Sequence, residues 1–147
     1  MQMSDSMQIR YSALIIGVVF LLLGLAGFAP TLVSGPATAF PGPGYGYLFG
    51  IFPTNYFHNA IGVLVGLWGL AAFTNLGGAI TFNRIFAIVY SLNAIFGLLP
   101  FAKTLFGTMP LYGNNVWLSA LTALVAAYYG YIKAAGVDRT TGTPTIV

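Results

Sequence analysis

Cysteine and glutamate are missing from this chain of 147 residues, and its two aspartates, Asp5 and Asp138, lie near the ends. Without cysteine, disulfides, thiolate chemistry and iron–sulfur clusters are excluded. Without interior carboxylates the chain has no acid–base pair for catalysis and no carboxylate ligands for a metal. The sequence also lacks a glycine-rich phosphate loop and an HExxH motif. We therefore predict that the protein is not an enzyme.

Charge is scarce as well. Only 5% of the residues are charged and 58% are hydrophobic, whereas a soluble domain has roughly 25% charged residues. Mean hydropathy is +0.87. The basic residues form no cluster of the kind that binds nucleic acid. Charges fall only at or between apolar runs long enough to cross a hydrocarbon core about 30 Å thick, so the sequence predicts an integral membrane protein.

The apolar runs predict four membrane spans separated by loops. Asn55 is the expected cap of the second span, a Gly77-Gly78 turn follows that span, and Pro100 bends or ends the third. Residues 1–8 are predicted to be a frayed polar tail and residues 134–147 a flexible one. The spans are expected at about residues 9–29, 56–76, 83–102 and 114–133.

Basic residues are distributed unevenly between the two ends of these spans. Lys103 is alone at one end, and four basic residues flank the other: Arg10, Arg84, Lys133 and Arg139. Because basic residues favour the cytoplasmic side, both termini are predicted to be cytoplasmic. The membrane is expected to be a bacterial inner membrane or a thylakoid membrane.

One stretch of the sequence occurs twice. LFGIFPTNYFHNAIGVLVGLW begins at Leu48, and LFGTMPLYGNNVWLSALTALV begins at Leu105, so the two align without a gap at an offset of 57. His58 aligns with Asn115. The repetition predicts an all-α fold, a four-transmembrane-helix bundle of two parallel two-helix repeats (about residues 9–76 and 83–133) with interfacial LFGxxP turns.

Small residues line one face of the second and fourth predicted spans. They allow helix backbones to approach closely in lipid, so these two spans are expected to pack against each other across the repeat axis. The Gly62-x-x-x-Gly66 pair is interpreted as an internal contact rather than a dimer contact. The stripes are Gly62, Gly66 and Gly69 in the second span and Ser119, Ala123 and Ala126 in the fourth.

Three polar residues of the predicted spans are candidates for a role inside the membrane: His58, Asn93 and Asn115. His58 is a candidate axial ligand for haem or chlorophyll, or a proton-handling group. The favoured alternative is a structural histidine that bonds Asn114, Asn115 or a loop carbonyl, since the aligned asparagine is a poor ligand for iron. Asn93 is expected to bond a neighbouring helix or, alternatively, to line a polar path.

The pattern LFGxFPxNxxHN, followed by GLWGLAA and LFGxxPLxGxxxWL, resembles an uncharacterised family of small bacterial four-span membrane proteins, domain-of-unknown-function 4383. The resemblance covers about residues 48–131 well and the first span in outline. It implies a four-helix membrane protein with no settled activity.

These observations favour a non-catalytic accessory or assembly subunit of a larger membrane complex, whose partners are the lipid bilayer and other membrane subunits. A pigment-adjacent version would use His58 and chlorophyll, carotenoid or haem. The alternative is a passive channel or carrier for a small or apolar solute, with its path along His58, Asn93 and Asn115. A redox protein is disfavoured because no second cofactor ligand is well placed.

Overall fold

The computed structural model describes residues 3–35 and 41–145 of the chain. Within these residues the fold is mostly helical, with four α-helices and three short strands. The helices are α1 (Asp5–Ala26), α2 (Tyr56–Ala72), α3 (Leu76–Leu98) and α4 (Asn114–Ala127), and α4 continues into a π-helical segment, Tyr128–Lys133. The strands are β1 (Val33–Ser34), β2 (Gly46–Leu48) and β3 (Phe52–Thr54), and a 3₁₀ turn, Pro30–Leu32, precedes β1. Helices α1 and α3 are long and apolar enough to cross a membrane, and α2 is a shorter apolar helix.

The N-terminal residues form the first turn of α1 instead of the predicted frayed tail. The Oγ of Ser4 accepts a hydrogen bond from the backbone N–H of Met7 at 3.2 Å, and this cap starts the helix at Asp5 rather than at residue 9. Asp5 forms an ion pair with Lys133 at 2.9 Å, which joins the start of α1 to the end of the π-helical segment. Residues 1–2 lie outside the described residues.

The C-terminal tail folds back, where the sequence predicted flexibility. Val137 pairs with Pro144 in an antiparallel bridge. The carboxylate of Asp138 accepts a hydrogen bond from the backbone N–H of Thr140 at 2.8 Å, which closes a tight turn typical of aspartate. Residues 146–147 lie outside the described part of the chain.

Helix α3 is displaced from its predicted bounds at both ends. The Oδ1 of Asn75 accepts a hydrogen bond from the backbone N–H of Gly78 at 2.7 Å, so Gly77 and Gly78 lie in the first helical turn instead of in a separate turn. The helix ends before Leu99, which is extended (ψ 125°), because the residue before a proline avoids the helical conformation. Pro100 therefore ends this helix earlier than residue 102.

A small antiparallel sheet, in the order β1–β2–β3, precedes α2 where the sequence predicted only a loop and a turn. Val33 pairs with Leu48, and Leu48 pairs with Phe52. Between β2 and β3, Phe49 (φ 54°) and Gly50 (φ 74°) adopt positive φ, as tight hairpin turns require. The fold is therefore mostly helical, as predicted, but it also contains this small sheet, which the sequence did not predict because strands of two or three residues are too short to give an alternating pattern.

The helices form two antiparallel pairs, α1 with α2 and α3 with α4. In the first pair, a methyl group at Gly66 would lie 2.5 Å from the backbone nitrogen of Leu21, and one at Gly69 would lie 2.6 Å from the Cα of Gly17. The close approach was predicted, but its partner was not, since the glycine stripe of α2 faces α1 and not α4. The stripe of α4 is also buried and consists of Ser119, Ala123 and Ala126.

In each helix pair, an arginine of the first helix bonds a backbone carbonyl at the end of the second helix. Helix α2 ends before Phe73 rather than at residue 76, and the Nε of Arg10 donates a hydrogen bond to the carbonyl of Phe73 at 2.7 Å. In the second pair, the Nε of Arg84 donates to the carbonyl of Gly130 at 2.7 Å. Both arginines therefore lie at the end opposite the sheet.

The half of the molecule near these arginines has a core rich in aromatic side chains. Phe82 and Phe86 stack along α3 with ring centroids 5.5 Å apart, and Phe86 stacks on Tyr90 at 4.1 Å. Phe20 packs edge-on against Phe86 and Tyr90. This core occupies the space between the helices below the sheet end.

Candidate functional site

A cavity lies among the four helices at the end that carries the sheet. It is lined by the second halves of α1 and α3, the first turns of α2 and α4, and the segments that precede these turns. The cavity brings together the three polar residues that the sequence singled out, His58, Asn93 and Asn115. Its polar lining consists of Thr54, His58, Asn59, Tyr90, Asn93, Asn115 and Ser119.

His58 lies in the first turn of α2, where Asn55 caps the helix as predicted. The Oδ1 of Asn55 accepts a hydrogen bond from the backbone N–H of His58 at 2.8 Å. The Nδ1 of His58 lies 3.1 Å from the hydroxyl of Thr54, and that hydroxyl donates to the side chain of Asn59. His58 is therefore hydrogen-bonded to the threonine four positions before it.

The expected partners of His58 were wrong, because Asn114 and Asn115 bond backbone carbonyls instead of the imidazole. Asn114 donates to the carbonyl of Ile51 at 2.9 Å. Asn115 donates to the carbonyls of Pro53 and Pro110 at 2.7 and 3.2 Å. These amides therefore join the two LFGxxP segments, while His58 bonds within its own turn.

Asn59 is the polar residue of this site that sequence reasoning missed. It is 1% exposed, and its Oδ1 accepts the hydrogen bond from Thr54. Its Nδ2 has no hydrogen-bond partner among the described residues. A methyl group at Gly27 would overlap the Asn59 amide, so the backbone of α1 approaches this amide closely. The sequence signal that could have identified Asn59 is the polar pair His58-Asn59 in an otherwise apolar helix.

Asn93 is half-buried in α3 and faces the cavity. Among the described residues it makes no side-chain hydrogen bond, although the sequence predicted one to a neighbouring helix. Tyr90 and Ser119 border the same space. Of the two interpretations left open for Asn93, its position favours the lining of a polar cavity.

The space available to the centres of water molecules is about 40 Å³. A buried water needs roughly 10–15 Å³ by this measure, so the cavity has room for about three. Its lining contains no lysine, arginine, aspartate or glutamate. The site is therefore small and uncharged, with several polar groups set in a mostly apolar lining.

The family model described as Domain of unknown function (DUF4383) matches residues 10–132. This match spans most of the chain and the whole cavity lining. The chain belongs to the DUF4383 family. The resemblance identified in the sequence is thereby confirmed. No curated protein and no solved structure matches the chain.

In this DUF4383 chain, His58 is the residue that the sequence made a candidate ligand for a metal-centred pigment. Within the described residues no three His, Cys, Asp or Glu side chains are grouped to hold a metal ion. Space for about three waters does not admit a tetrapyrrole ring.

The sheet end of this DUF4383 protein carries exposed aromatic rings. Phe49 and Phe106, aligned in the two LFGxxP turns, are 52% and 71% exposed. Tyr45 and Tyr112 are joined by a hydrogen bond between their hydroxyls. Burial and the hydrogen bond with Tyr112 raise the pKa of Tyr45, so this phenol stays neutral at physiological pH.

Proposed function

We propose that this protein is a non-catalytic integral membrane protein that crosses the bilayer four times and serves as an accessory subunit of a larger membrane complex. The proposal rests on three features: where its apolar and polar side chains lie, how its two helix pairs correspond, and which residues its turns present at the surface.

The distribution of polarity supports a lipid environment for all four helices. Large apolar side chains point outward from every helix, and Leu98 is 72% exposed. The amides of Asn59 and Asn83 are buried inside. This inverts the arrangement of a soluble domain and suits a solvent without hydrogen-bonding groups. Helix α2 has 17 residues and spans about 25 Å, a mismatch that a bilayer accommodates by thinning.

Correspondence between the helix pairs supports two parallel repeats. Phe49 and Phe106 adopt φ of 54° and 57° at aligned positions, and Arg10 and Arg84 make matching contacts. Because the basic residues flank the end opposite the sheet, both termini would be cytoplasmic, in a bacterial inner membrane or a thylakoid membrane. The sheet and both LFGxxP turns would face the other side.

The single observation that carries the accessory role is the conformation of the two exposed phenylalanines. Positive φ is an outlier for a bulky residue and costs about 1–3 kcal/mol, a strain that persists mostly where function requires it. Phe49 and Phe106 combine this conformation with exposed rings at aligned positions of the two turns. Exposed aromatic rings are typical anchors of protein–protein interfaces, so we assign these rings to contact with another membrane subunit.

The experiment compares partner retention between variants expressed at native level and purified in mild detergent. We expect a subunit at fixed stoichiometry with the unmodified protein, and its loss from the double variant Phe49→Ala/Phe106→Ala. Phe101→Ala is the matched control, because Phe101 is 72% exposed but lies outside the aligned positions. A preparation without a stoichiometric partner, or equal loss with the control, contradicts the accessory role.

A pigment-adjacent version of this role makes an additional prediction. The purified complex would then be coloured, and the colour would be lost in His58→Ala while the partner subunit stays bound. A colourless complex removes the pigment from the proposal and leaves the accessory role in place.

The polar cavity favours one alternative, a passive channel or carrier for a small solute. Its path would begin among His58, Asn93 and Asn115, but the buried Phe82 and Phe86 occupy the other half of the molecule. Flux of a small neutral solute into proteoliposomes tests this function. Flux above that of protein-free vesicles, abolished by Ser119→Leu, would support it.

A further inference from the structure

Two deeply buried asparagines differ in their hydrogen bonding. The Nδ2 of Asn83 donates to two backbone carbonyls, at 2.8 and 3.3 Å, and its Oδ1 accepts from Ser12 at 2.8 Å. Asn59 is nearly as buried, but its Nδ2 has no partner among the described residues. Buried amides of native proteins nearly always have partners. The free donor of Asn59 therefore indicates a ligand in the cavity that this residue lines.

The remaining polar groups of the cavity also have unused capacity. The side chains of Tyr90, Asn93 and Ser119 make no hydrogen bond with other described residues, and all three border the cavity. Hydroxyls and amides can both donate and accept. The cavity therefore presents donors and acceptors together, which a ligand with both kinds of group can satisfy.

Charge and size restrict the class of ligand. The lining has no charged side chain, and Lys103 is positioned over the ring of Tyr112, 5.5 Å from its centroid. An ion would lose its hydration without a counter-charge, at high cost. The space accepts about three water molecules. These limits favour small neutral molecules and exclude ions and large amphiphiles.

We propose that this cavity is a binding site for small uncharged hydrogen-bonding molecules, with the Nδ2 of Asn59 as a donor to them. Water and solutes of up to about three non-hydrogen atoms share this chemistry. The site depends on the cavity alone, and it holds whether or not the protein serves as an accessory subunit.

Nuclear Overhauser spectroscopy of the full-length protein in deuterated detergent micelles tests the proposal. Selective ¹⁵N-asparagine labelling makes the side-chain amides visible, and Asn59→Gln and Asn83→Gln assign the two resonances. We expect cross-peaks from water to the Asn59 amide and none to the Asn83 amide. A second sample with ¹³C-formamide distinguishes the two sources of ligand. Cross-peaks from formamide indicate a site open to solutes, and cross-peaks from water alone indicate a closed hydration site.

The control variant Ser119→Leu fills the cavity and leaves Thr54 unchanged. This matters because the hydroxyl proton of Thr54 exchanges with water and could itself give a cross-peak to the Asn59 amide. The proposal predicts that the Asn59 cross-peaks disappear in this variant while the Asn83 resonance stays in place. If the Asn83 resonance moves, the smaller substitution Ser119→Val is used in place of Ser119→Leu. The proposal is overturned if Asn59 shows no cross-peak to water or formamide, or if its cross-peak persists when the cavity is filled.

Discussion

The guanidinium of Arg10 lies 5.1 Å from the ring centroid of Phe73, and its Nε bonds the carbonyl of the same residue at 2.7 Å. Arg84 makes the equivalent contacts in the second helix pair, at 5.2 Å from the ring of Tyr131 and 2.7 Å from the carbonyl of Gly130. Phe73 and Gly130 are 57 positions apart, the offset at which the LFGxxP stretches align. Each arginine thus bonds a carbonyl near the C-terminal end of the second helix in its pair. Helix α2 ends at this point, whereas α4 continues as the π-helical segment.

Replacing either arginine with glutamine is expected to destabilise the protein by about 1–3 kcal/mol, since a charged hydrogen bond and a cation–π contact are both lost. Because the two contacts match, Arg10→Gln and Arg84→Gln should have similar effects. Unfolding in detergent micelles, followed by circular dichroism, measures them. The control is Arg139→Gln, whose hydrogen bonds to Gly77 and Thr81 are exposed. Equal destabilisation by the control would refute the role of the buried contacts.

Adding one methyl group to the α1–α2 contact is expected to be costly. At Gly66 the new Cβ would lie 2.5 Å from the backbone of Leu21, which cannot move without separating the helices, so Gly66→Ala should destabilise by about 1–3 kcal/mol. At Gly77 the nearest neighbour is 3.6 Å away, and Gly77→Ala should be neutral or stabilising. The same unfolding assay compares the two. A tolerated Gly66→Ala would show that α2 does not pack on α1 in this way.

Two cavity asparagines are expected to respond differently to alanine. Asn115 bonds the carbonyls of Pro53 and Pro110, so Asn115→Ala leaves these carbonyls without their partner and should cost about 1–3 kcal/mol. Asn93 makes no side-chain hydrogen bond within the described chain, so Asn93→Ala should cost less than about 0.5 kcal/mol. Denaturant midpoints measure both. The reverse order of effects would contradict the assigned hydrogen bonds.

Acid should loosen the C-terminal turn at an unusually low pH. Hydrogen bonds from the hydroxyl and N–H of Thr140 and from the N–H of Thr141 lower the pKa of Asp138 to about 2 from its ordinary 3.8. A lowered pKa stabilises the folded turn above about pH 4, and this stabilisation is lost as the pH falls towards 2. The amide proton shifts of Thr140 and Thr141 should titrate with a midpoint near pH 2. A midpoint near 3.8, or an unchanged titration in Asp138→Asn, would contradict the turn.

Several elements were predictable because their signals are local. Asn55 precedes an apolar run and caps α2, and Pro100 ends α3, since caps and prolines act through neighbouring backbone atoms. The two LFGxxP segments were recognised from sequence identity alone. The positive φ that Phe49 and Phe106 share was not predicted, because a bulky residue rarely adopts this conformation.

Features that depend on distant partners were not predictable. The stripe containing Gly62 and Gly66 allows close packing but does not specify the partner, and α1 supplies it because Gly17 and Gly24 lie opposite. Likewise, the position of Asn59 in the sequence does not predict that its amide is buried against Gly27, because this contact joins two different helices. The strands are formed by hydrogen bonds between segments too short to have a pattern of their own.

Membrane topology is the most direct test of the four-span parallel arrangement. Because the chain has no cysteine, a maleimide can label only the cysteine that is introduced. Single cysteines replace exposed residues of the two turns, Ile51→Cys and Thr108→Cys, and of the two termini, Met3→Cys and Thr141→Cys. Intact cells are treated with a membrane-impermeant maleimide. We predict labelling at both turns and at neither terminus until the membrane is permeabilised. Labelling of only one turn, or of either terminus in intact cells, would contradict the arrangement.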